Sequence, residues 1–209
     1  DVVCMGYGFQ PNNEILRSLD CRHRWDEARG YLVTERNGDC ETSAEGIYAI
    51  GDCCGLGGAH AACDEGVIAA AAVVRSLGTG ESRNLNGTER RARRSLQRHR
   101  AFQAALWELF GSRQYQAELA SPETLVCRCE SVSREQIDAV LAEGGVTLAA
   151  LKRRTRLGMG PCQGRYCAPV AAAMIADHTK ETPGEFSLFA PRVPFKPLRV
   201  SDIVTPSSR

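Results

Sequence analysis

The sequence predicts an α/β domain followed by a small, mainly α-helical domain. In the first third of the chain, short apolar segments end in glycine or turn residues and alternate with helical patterns. The last apolar segment of this part runs into Gly51 and Asp52, and an alanine-rich helix is predicted from 59 to 77. In the last third, two close pairs of cysteines flank a stretch with two helical patterns. These pairs are Cys127 with Cys129 and Cys162 with Cys167.

The composition is that of an ordinary globular protein. Of 209 residues, 43% are hydrophobic and 24% charged, and no apolar run reaches the length of a membrane span. The formal net charge of +1 argues neither for nor against a nucleic-acid partner. The arginine-rich stretch after Thr88 is short and has no interleaved aromatic residues, so we expect no such partner. The ten cysteines are spaced like ligands, which predicts a reducing compartment. We expect a cytoplasmic protein, with peripheral attachment to the inner membrane as the alternative location.

Four segments are predicted along the chain. They are an α/β domain over 1–78, a linker and amphipathic helix over 79–123, a small cysteine-containing domain over 124–180, and an extended proline-rich tail over 181–209. In the first segment we predict strands over 1–8, 31–34 and 46–50, and a helical face with Ile15, Leu16 and Leu19. The chain starts without Met inside an apolar run, so we expect it to be the C-terminal part of a longer protein.

The four paired cysteines are the strongest chemical signal. Four thiolates arriving as two close pairs are what a tetrahedral metal or a small iron–sulfur cluster needs. Three other interpretations stay open: a structural zinc site, a redox disulfide between Cys162 and Cys167, and four buried structural thiols. Zinc pairs are more often spaced C-x2-C, and a disulfide would leave the other pair idle. We therefore favour a cluster held by Cys127, Cys129, Cys162 and Cys167.

Helix signals surround these cysteines. The run from Ser133 to Gln136 is a capping box, and Thr147 is suited to cap a second helix that ends at Gly158. Pro169 is suited to the first position of a third helix. The glycines near the second pair would leave backbone N–H groups free to bond cluster sulfurs; they are Gly158, Gly160 and Gly164.

Residues 42–52 (TSAEGIYAIGD) resemble the second FAD fingerprint of flavoproteins with two dinucleotide-binding domains. The chemistry suits that resemblance, because a strand would deliver the Asp52 carboxylate to the edge of a sheet, where a ribitol hydroxyl can bond to it. Gly51 leaves room for the cofactor. Gly58, Ala59 and His60 begin a helix whose N-terminal amides can face the flavin.

Two nearby sequence patterns are weaker indications of a functional site than the FAD fingerprint. A glycine-rich run over 55–60 imitates part of a phosphate-binding loop, but no strand ends immediately before it. Cys53 and Cys54 beside a flavin could suggest a redox dithiol. Neighbouring cysteines form a disulfide only with strain, so we predict that both simply pack.

The segment from 124 to 176 resembles the [2Fe–2S]-binding module of bacterioferritin-associated ferredoxin, with the C-x-C then C-x4-C order intact. Over nearly the whole chain, the order of motifs resembles the FAD and iron–sulfur subunit of bacterial heteromeric amino-acid or opine dehydrogenases. That family includes opine oxidases, hydrogen cyanide synthase and hydroxyproline dehydrogenases. The resemblance implies FAD and a [2Fe–2S] cluster as cofactors.

The resemblance also implies partners and an activity. We expect a second, flavin-containing catalytic subunit that oxidises a C–N bond of an amine or amino acid, and a quinone or other electron acceptor. No residue of this chain is a convincing general base, so the catalytic residues stay unknown. Two alternatives are an NAD(P)H-dependent flavoprotein reductase and an assembly protein with a structural Cys4 zinc site.

Overall fold

The computed structural model describes residues 2–3, 9–78, 82–111, 120–195 and 198–204. The helices are α1 Glu14–Ser18, α2 Ala59–Ser76, α3 Ser82–Phe110, α4 Arg134–Ala142, α5 Leu148–Thr155, α6 Cys167–Thr179 and α7 Val200–Val204. The strands are β1 His23–Asp26, β2 Tyr31–Thr34, β3 Leu125–Cys127 and β4 Val132–Ser133. Single 3-10 turns span Gly51–Cys54 and Glu185–Ser187.

The N-terminal part combines a β-hairpin with a helical hairpin. Strands β1 and β2 pair antiparallel, with His23 opposite Thr34. The early residues of α2 contact the late residues of α3, as in the ion pair between Glu65 and Arg100, so the two helices run antiparallel. Ile68 of α2 is 1% exposed and packs in one cluster with Leu96 of α3. The alanines of α2 allow this close approach.

The cysteine-containing part has its own core. The β3–β4 hairpin and helices α4, α5 and α6 enclose Ile137, Leu151, Leu157 and Ala171, which are all fully buried. The predicted capping box at the start of α4 is confirmed, because Ser133 and Gln136 bond each other's backbone N–H groups. The predicted Thr147 cap of α5 is also present. Helix α5 ends earlier than predicted, because Arg156 already takes a left-handed conformation at φ +66. Gly158 also has a positive φ of +78, but it lies beyond this end.

Several predicted elements differ in the structure. Residues 46–50 form no ladder strand within the described residues; Tyr48 makes one isolated bridge with Glu41. The strand predicted over 1–8 lies mostly outside the described residues. Helix α3 already begins at Ser82, inside the stretch expected to be a linker, and α6 begins at Cys167 rather than at Pro169.

Two apolar patterns also differ from their predictions. In α1 only Leu16 is buried, whereas Ile15 and Leu19 are 58% and 46% exposed. Ile15 is adjacent to Leu16 and therefore points in a different direction, and Leu19 lies just beyond the last residue of the helix. The tail is not wholly extended, because it contains a 3-10 turn and α7, and its Phe189 packs against the small core.

Within the described residues, no helix combines the length and the hydropathy that crossing a membrane requires.

Candidate functional site

The fold brings the two cysteine pairs together. Cys127 ends β3, Cys129 lies in the turn to β4, Cys162 lies in the loop after α5, and Cys167 begins α6. The thiol of Cys129 interacts electrostatically with that of Cys162, and the thiol of Cys167 interacts with those of Cys127 and Cys162. Cys127 and Cys167 are buried, whereas Cys129 is exposed. One side of this four-cysteine site therefore faces the core and the other side faces solvent.

The donor set fits a two-iron cluster. A [2Fe–2S] cluster needs four thiolates, two at each of two irons, and the structure brings the two cysteine pairs together. A structural zinc ion would use the same four thiolates around one centre.

Backbone N–H groups make Cys162 of the second pair better suited to bind a metal. Burial alone would raise the pKa of the Cys162 thiol. Hydrogen bonds from the backbone N–H groups of Gly164, Tyr166 and Arg165, with the bond from Cys129, outweigh burial and lower that pKa. Burial and then the neighbouring Cys127 raise the pKa of Cys167 to about 12. A thiol must lose its proton to bind a metal, so the loop favours the ligand form of Cys162 most directly.

The glycines around the second pair have steric roles that the sequence did not predict. A Cβ at Gly160 would lie 2.2 Å from the Cβ of Cys129. At Gly158 and Gly164 a Cβ would lie 2.4 Å and 2.6 Å from ring atoms of Phe189. The tail residue Phe189 therefore lies directly on the loop that carries Cys162. Of the N–H groups expected to be free for sulfur, that of Gly164 is directed at Cys162.

Gly164→Ala is expected to destabilise the small domain by about 1–3 kcal/mol. Gly164 has φ +81, and its added Cβ would overlap the Phe189 ring. Gly144→Ala is a matched control, because φ is +84 there and nothing lies within 4 Å of the added Cβ. Urea unfolding of both variants would separate the free-energy cost of the overlap with Phe189 from the cost of placing a side chain at positive φ. Equal midpoints for the two variants would contradict the role assigned to Phe189.

Two of the five predicted flavin residues, Asp52 and Gly58, line a groove, whereas Gly51, Ala59 and His60 do not. The groove has a volume of about 910 Å3 and is lined by Asp52, Cys53, Leu56, Gly58 and Gln103, together with Phe9, Gln10, Asn12, Glu14, Ile15, Pro194, Phe195 and Leu198. Asp52 is exposed to this groove. Within the described residues its carboxylate has no hydrogen-bond partner, so it is free to accept one from a ligand.

The N-terminus of α2 also faces this groove. Gly58 is the N-cap with φ +81, and no side chain caps the first turn. The N–H groups of the first turn are therefore available to hydrogen-bond an electron-rich ligand. A flavin bound in this groove would be such a ligand. Ala59 and His60 follow and are exposed, but the His60 ring stacks on His99 with centroids 5.5 Å apart. Neither residue is among those that line the groove.

A buried cluster of charged residues next to Gly51 was not predicted from the sequence. Glu65 of α2 is 5% exposed and accepts two hydrogen bonds from Arg36, at 2.9 and 2.6 Å. It also accepts the backbone N–H of Gly51 at 2.9 Å, and Arg36 donates to the Ala49 carbonyl at 2.7 Å. The segment that leads into Asp52 is therefore held at Gly51 by Glu65 and at Ala49 by Arg36. The signal was present, since a carboxylate inside an almost wholly apolar helix needs a buried partner.

The electrostatics of this cluster follow from its contacts. Burial alone would raise the pKa of the Glu65 carboxyl group. The hydrogen bonds from Arg36 and then from the Gly51 N–H outweigh burial, so the pKa of Glu65 is lowered from its usual value. The carboxylate form is the one that holds the Gly51 backbone.

Cys53 and Cys54 have different surroundings. Cys54 is buried in the N-terminal core, whereas Cys53 is half-buried and lines the groove. Their sulfur atoms lie 3.7 Å apart. The hydrogen bond from Cys54 lowers the pKa of Cys53 to about 7. Cys54 belongs to the N-terminal core and Cys53 packs partly buried against it, as predicted, while Cys53 also lines the groove.

A second cavity connects the groove to the cysteine loop. Its volume is about 470 Å3, and it shares Phe9, Gln10, Asn12 and Glu14 with the groove. Its opposite wall is formed by Gln163, Gly164, Arg165 and Tyr166, which lie between Cys162 and Cys167. Arg165 donates to the Glu14 carboxylate at 3.0 Å, so an ion pair joins the two regions.

Comparison with known families covers both parts of the chain. Residues 125–177 match the BFD-like [2Fe-2S] binding domain, and residues 1–66 match the pyridine nucleotide-disulphide oxidoreductase family. The L-proline dehydrogenase from P. horikoshii has a similar structure, with a TM-score of 0.69 over 95% of this chain and 38% of that one. At 22% identity this similarity shows a shared fold.

Curated relatives match along almost the whole chain. An opine oxidase subunit of Rhizobium meliloti is 36% identical over 96% of this chain and 38% of its own length. The hydrogen cyanide synthase subunit HcnB of Pseudomonas aeruginosa is 32% identical over 95% of this chain and 42% of its own length. The chain spans between 38% and 43% of the length of five such relatives.

These matches define the class: the chain combines a flavoprotein oxidoreductase domain, which implies FAD, with a [2Fe–2S]-binding domain. Within that class, it is homologous to the opine oxidase and HcnB subunits over 38% and 42% of their lengths. The predicted fold class, family resemblance and cofactors are thereby confirmed.

Proposed function

We propose that this chain is an electron-relay subunit of a heteromeric oxidoreductase that oxidises an amino acid or a secondary amine. The names of its homologues describe subunits of an opine oxidase and of a hydrogen cyanide synthase, which supports a partner subunit here. In this proposal the partner is a second, flavin-containing subunit that carries the substrate chemistry. The substrate is an opine, proline-type or glycine-type compound, and the acceptor is a quinone or another carrier.

The division of the chain follows the same proposal. We assign 1–78 to the flavoprotein domain, 79–123 to a linker and amphipathic helix, 124–180 to the cluster domain and 181–209 to the tail. The buried core of 124–180 shares no residue with the two N-terminal cores, which supports a separate cluster domain. Helix α3 contributes Ala92 and Leu96 to an N-terminal core.

The observation that carries the proposal is the path between the two cofactor sites. The Asp52 groove and the Cys162 loop lie on opposite sides of Glu14, and the two cavities that meet there share four lining residues, Phe9, Gln10, Asn12 and Glu14. The ion pair between Arg165 and Glu14 holds the loop against the groove. A relay requires two redox groups held close to each other, and the four shared lining residues support this requirement.

Each proposed site residue has a defined task. Asp52 accepts a hydrogen bond from a cofactor hydroxyl, Gly51 leaves space, and Gly58, Ala59 and His60 supply the uncapped amides at the start of α2. The thiolates of Cys127, Cys129, Cys162 and Cys167 hold the two irons. When bound, FAD would supply two-electron oxidation and one-electron release, and the cluster would supply one-electron transfer.

The experiment that tests this function uses the complex of this chain with its co-expressed partner subunit. Anaerobic addition of proline or an opine should reduce first the flavin absorption and then the cluster absorption. Reduction by NAD(P)H instead would support the alternative of a flavoprotein reductase. One zinc per chain and no visible cluster would support the alternative of an assembly protein with a structural metal site.

Asp52→Asn is expected to weaken FAD binding by about tenfold or more, because a hydrogen bond to a charged acceptor contributes about 1.5–3 kcal/mol. The substitution keeps the shape of the side chain and removes its charge. Asp177→Asn in α6 is the matched control, since Asp177 is exposed and far along the chain from the groove. Fluorescence titration of each full-length variant with FAD measures the dissociation constant. An unchanged constant for Asp52→Asn would remove Asp52 from the proposed site.

A further inference from the structure

A third cavity lies beside the cysteine loop and has an unbalanced positive charge. Its volume is about 340 Å3, and its charged lining residues are Arg17, Lys152, Arg165, Arg192 and Glu14. Four cations thus face one carboxylate. That carboxylate is already used, because Glu14 accepts a hydrogen bond from Arg165 at 3.0 Å.

The other cations lack a carboxylate partner of their own. Arg17 donates to the backbone carbonyl of Glu185 at 3.3 Å. The Glu185 carboxylate also acts on Arg17 through its charge, but it pairs with His23 at 3.2 Å. Lys152 lies 5.1 Å from the centroid of the Phe189 ring, a contact that positions the ammonium without neutralising it. Arg192 has no hydrogen-bond or ion-pair partner within the described residues.

Two buried nitrogen atoms of these arginines make the cluster of cations still less favourable. Within the described residues, the Nε atoms of Arg17 and Arg165 are buried and have no hydrogen-bond partner. Burying polar groups and charges without partners is unfavourable. Arg17, Lys152 and Arg165 are partly buried, whereas Arg192 is exposed to solvent at the edge of the cavity. An anion that enters this partly open space would offset the charges of the partly buried cations.

We propose that this cavity binds a small oxyanion with at least two negative charges, either a phosphate or a dicarboxylate. Guanidinium groups recognise planar or tetrahedral oxyanions through paired N–H donors, and three cations remain to be neutralised. The volume is at the lower end of the range for small-molecule sites, which fits a small metabolite or an isolated anionic group.

The site adjoins the loop that carries the second cysteine pair. Gly158, Met159 and Gln163 form part of its wall, and Gln163 directly follows Cys162. An anion bound here would contact the loop and the tail segment at Arg192 at once. Its binding energy would therefore add to the stability of the loop and of the tail in this arrangement.

Calorimetric titration of the anaerobically purified full chain with pyrophosphate and with succinate, at low ionic strength, tests the proposal. We expect saturable binding of at least one anion. Saturation by pyrophosphate alone would identify a phosphate site, and saturation by succinate alone a dicarboxylate site. Binding requires neither catalytic turnover nor the partner subunit, so this result is separate from the test of the electron relay.

Two substitutions test whether the anion binds in this cavity. Lys152→Gln and Arg192→Gln should each weaken binding by about tenfold, as expected for losing one charge-assisted contact. Arg153→Gln is the matched control, because Arg153 is the exposed neighbour of Lys152 on α5 and does not line the cavity. The proposal is overturned if neither anion binds, or if Arg153→Gln weakens binding as much as Lys152→Gln does.

Discussion

Cys129→Ala is expected to abolish the cluster and leave the polypeptide folded. The reconstituted chain should contain about two irons and two sulfides, with visible absorption and an EPR signal after reduction by dithionite. Removing one of four thiolate ligands should reduce the iron content to near zero. Cys129 suits this test because its side chain is exposed, so its loss creates no cavity in the core. Combined iron, sulfide and zinc analysis with EPR spectroscopy measures the outcome.

Cys63→Ala is the matched control. Cys63 is also an exposed free thiol, but it lies on α2 and outside the four-cysteine site. Its iron content and spectrum should equal those of the unmodified chain. If the unmodified chain instead takes up one zinc ion and shows no visible absorption, the electron-relay function proposed for this domain is wrong.

The parts of the site that sequence could predict are those that local chemistry determines. Close spacing along the chain forces Cys127 and Cys129 into one turn, and likewise the second pair into one loop. The capping box at Ser133 and the cap at Thr147 act within one helical turn, so their residue types suffice to place α4 and α5.

The parts that sequence could not predict depend on contacts between distant segments. The Arg165–Glu14 ion pair joins residues 151 positions apart, and neither residue is unusual in its own segment. Phe189 explains two glycines, but nothing in the tail sequence shows where its ring packs. The predicted strand at 46–50 has the right composition, yet a ladder also needs a paired neighbour, which composition does not supply.

Glu65→Gln is expected to lower the free energy of unfolding by about 3 kcal/mol and to weaken FAD binding at the same time. The variant leaves the buried Arg36 guanidinium without its carboxylate and weakens the bond that holds the Gly51 N–H. Because Glu65 does not line the groove, its effect on FAD must pass through the position of the 49–52 segment. Urea unfolding at pH 7 and FAD titration measure the two effects on the same samples.

The pH dependence gives a second test of the same contact. The pKa of Glu65 is lowered by folding, so its contribution is complete above the unfolded pKa of about 4.3. That contribution is lost as the pH falls through the lower, folded pKa. The stability difference between the native chain and Glu65→Gln should therefore be large at pH 7 and shrink below about pH 4.

Glu143→Gln provides the matched control, since it makes the same substitution in a surface ion pair with Arg154. The Glu143 side chain is 62% exposed, so solvent screens this pair and its loss should cost well under about 1 kcal/mol. If Glu65→Gln is no more destabilising than Glu143→Gln, the buried cluster does not support the flavin segment. If it destabilises the chain but leaves FAD binding unchanged, Glu65 stabilises the fold without positioning Gly51 and Asp52.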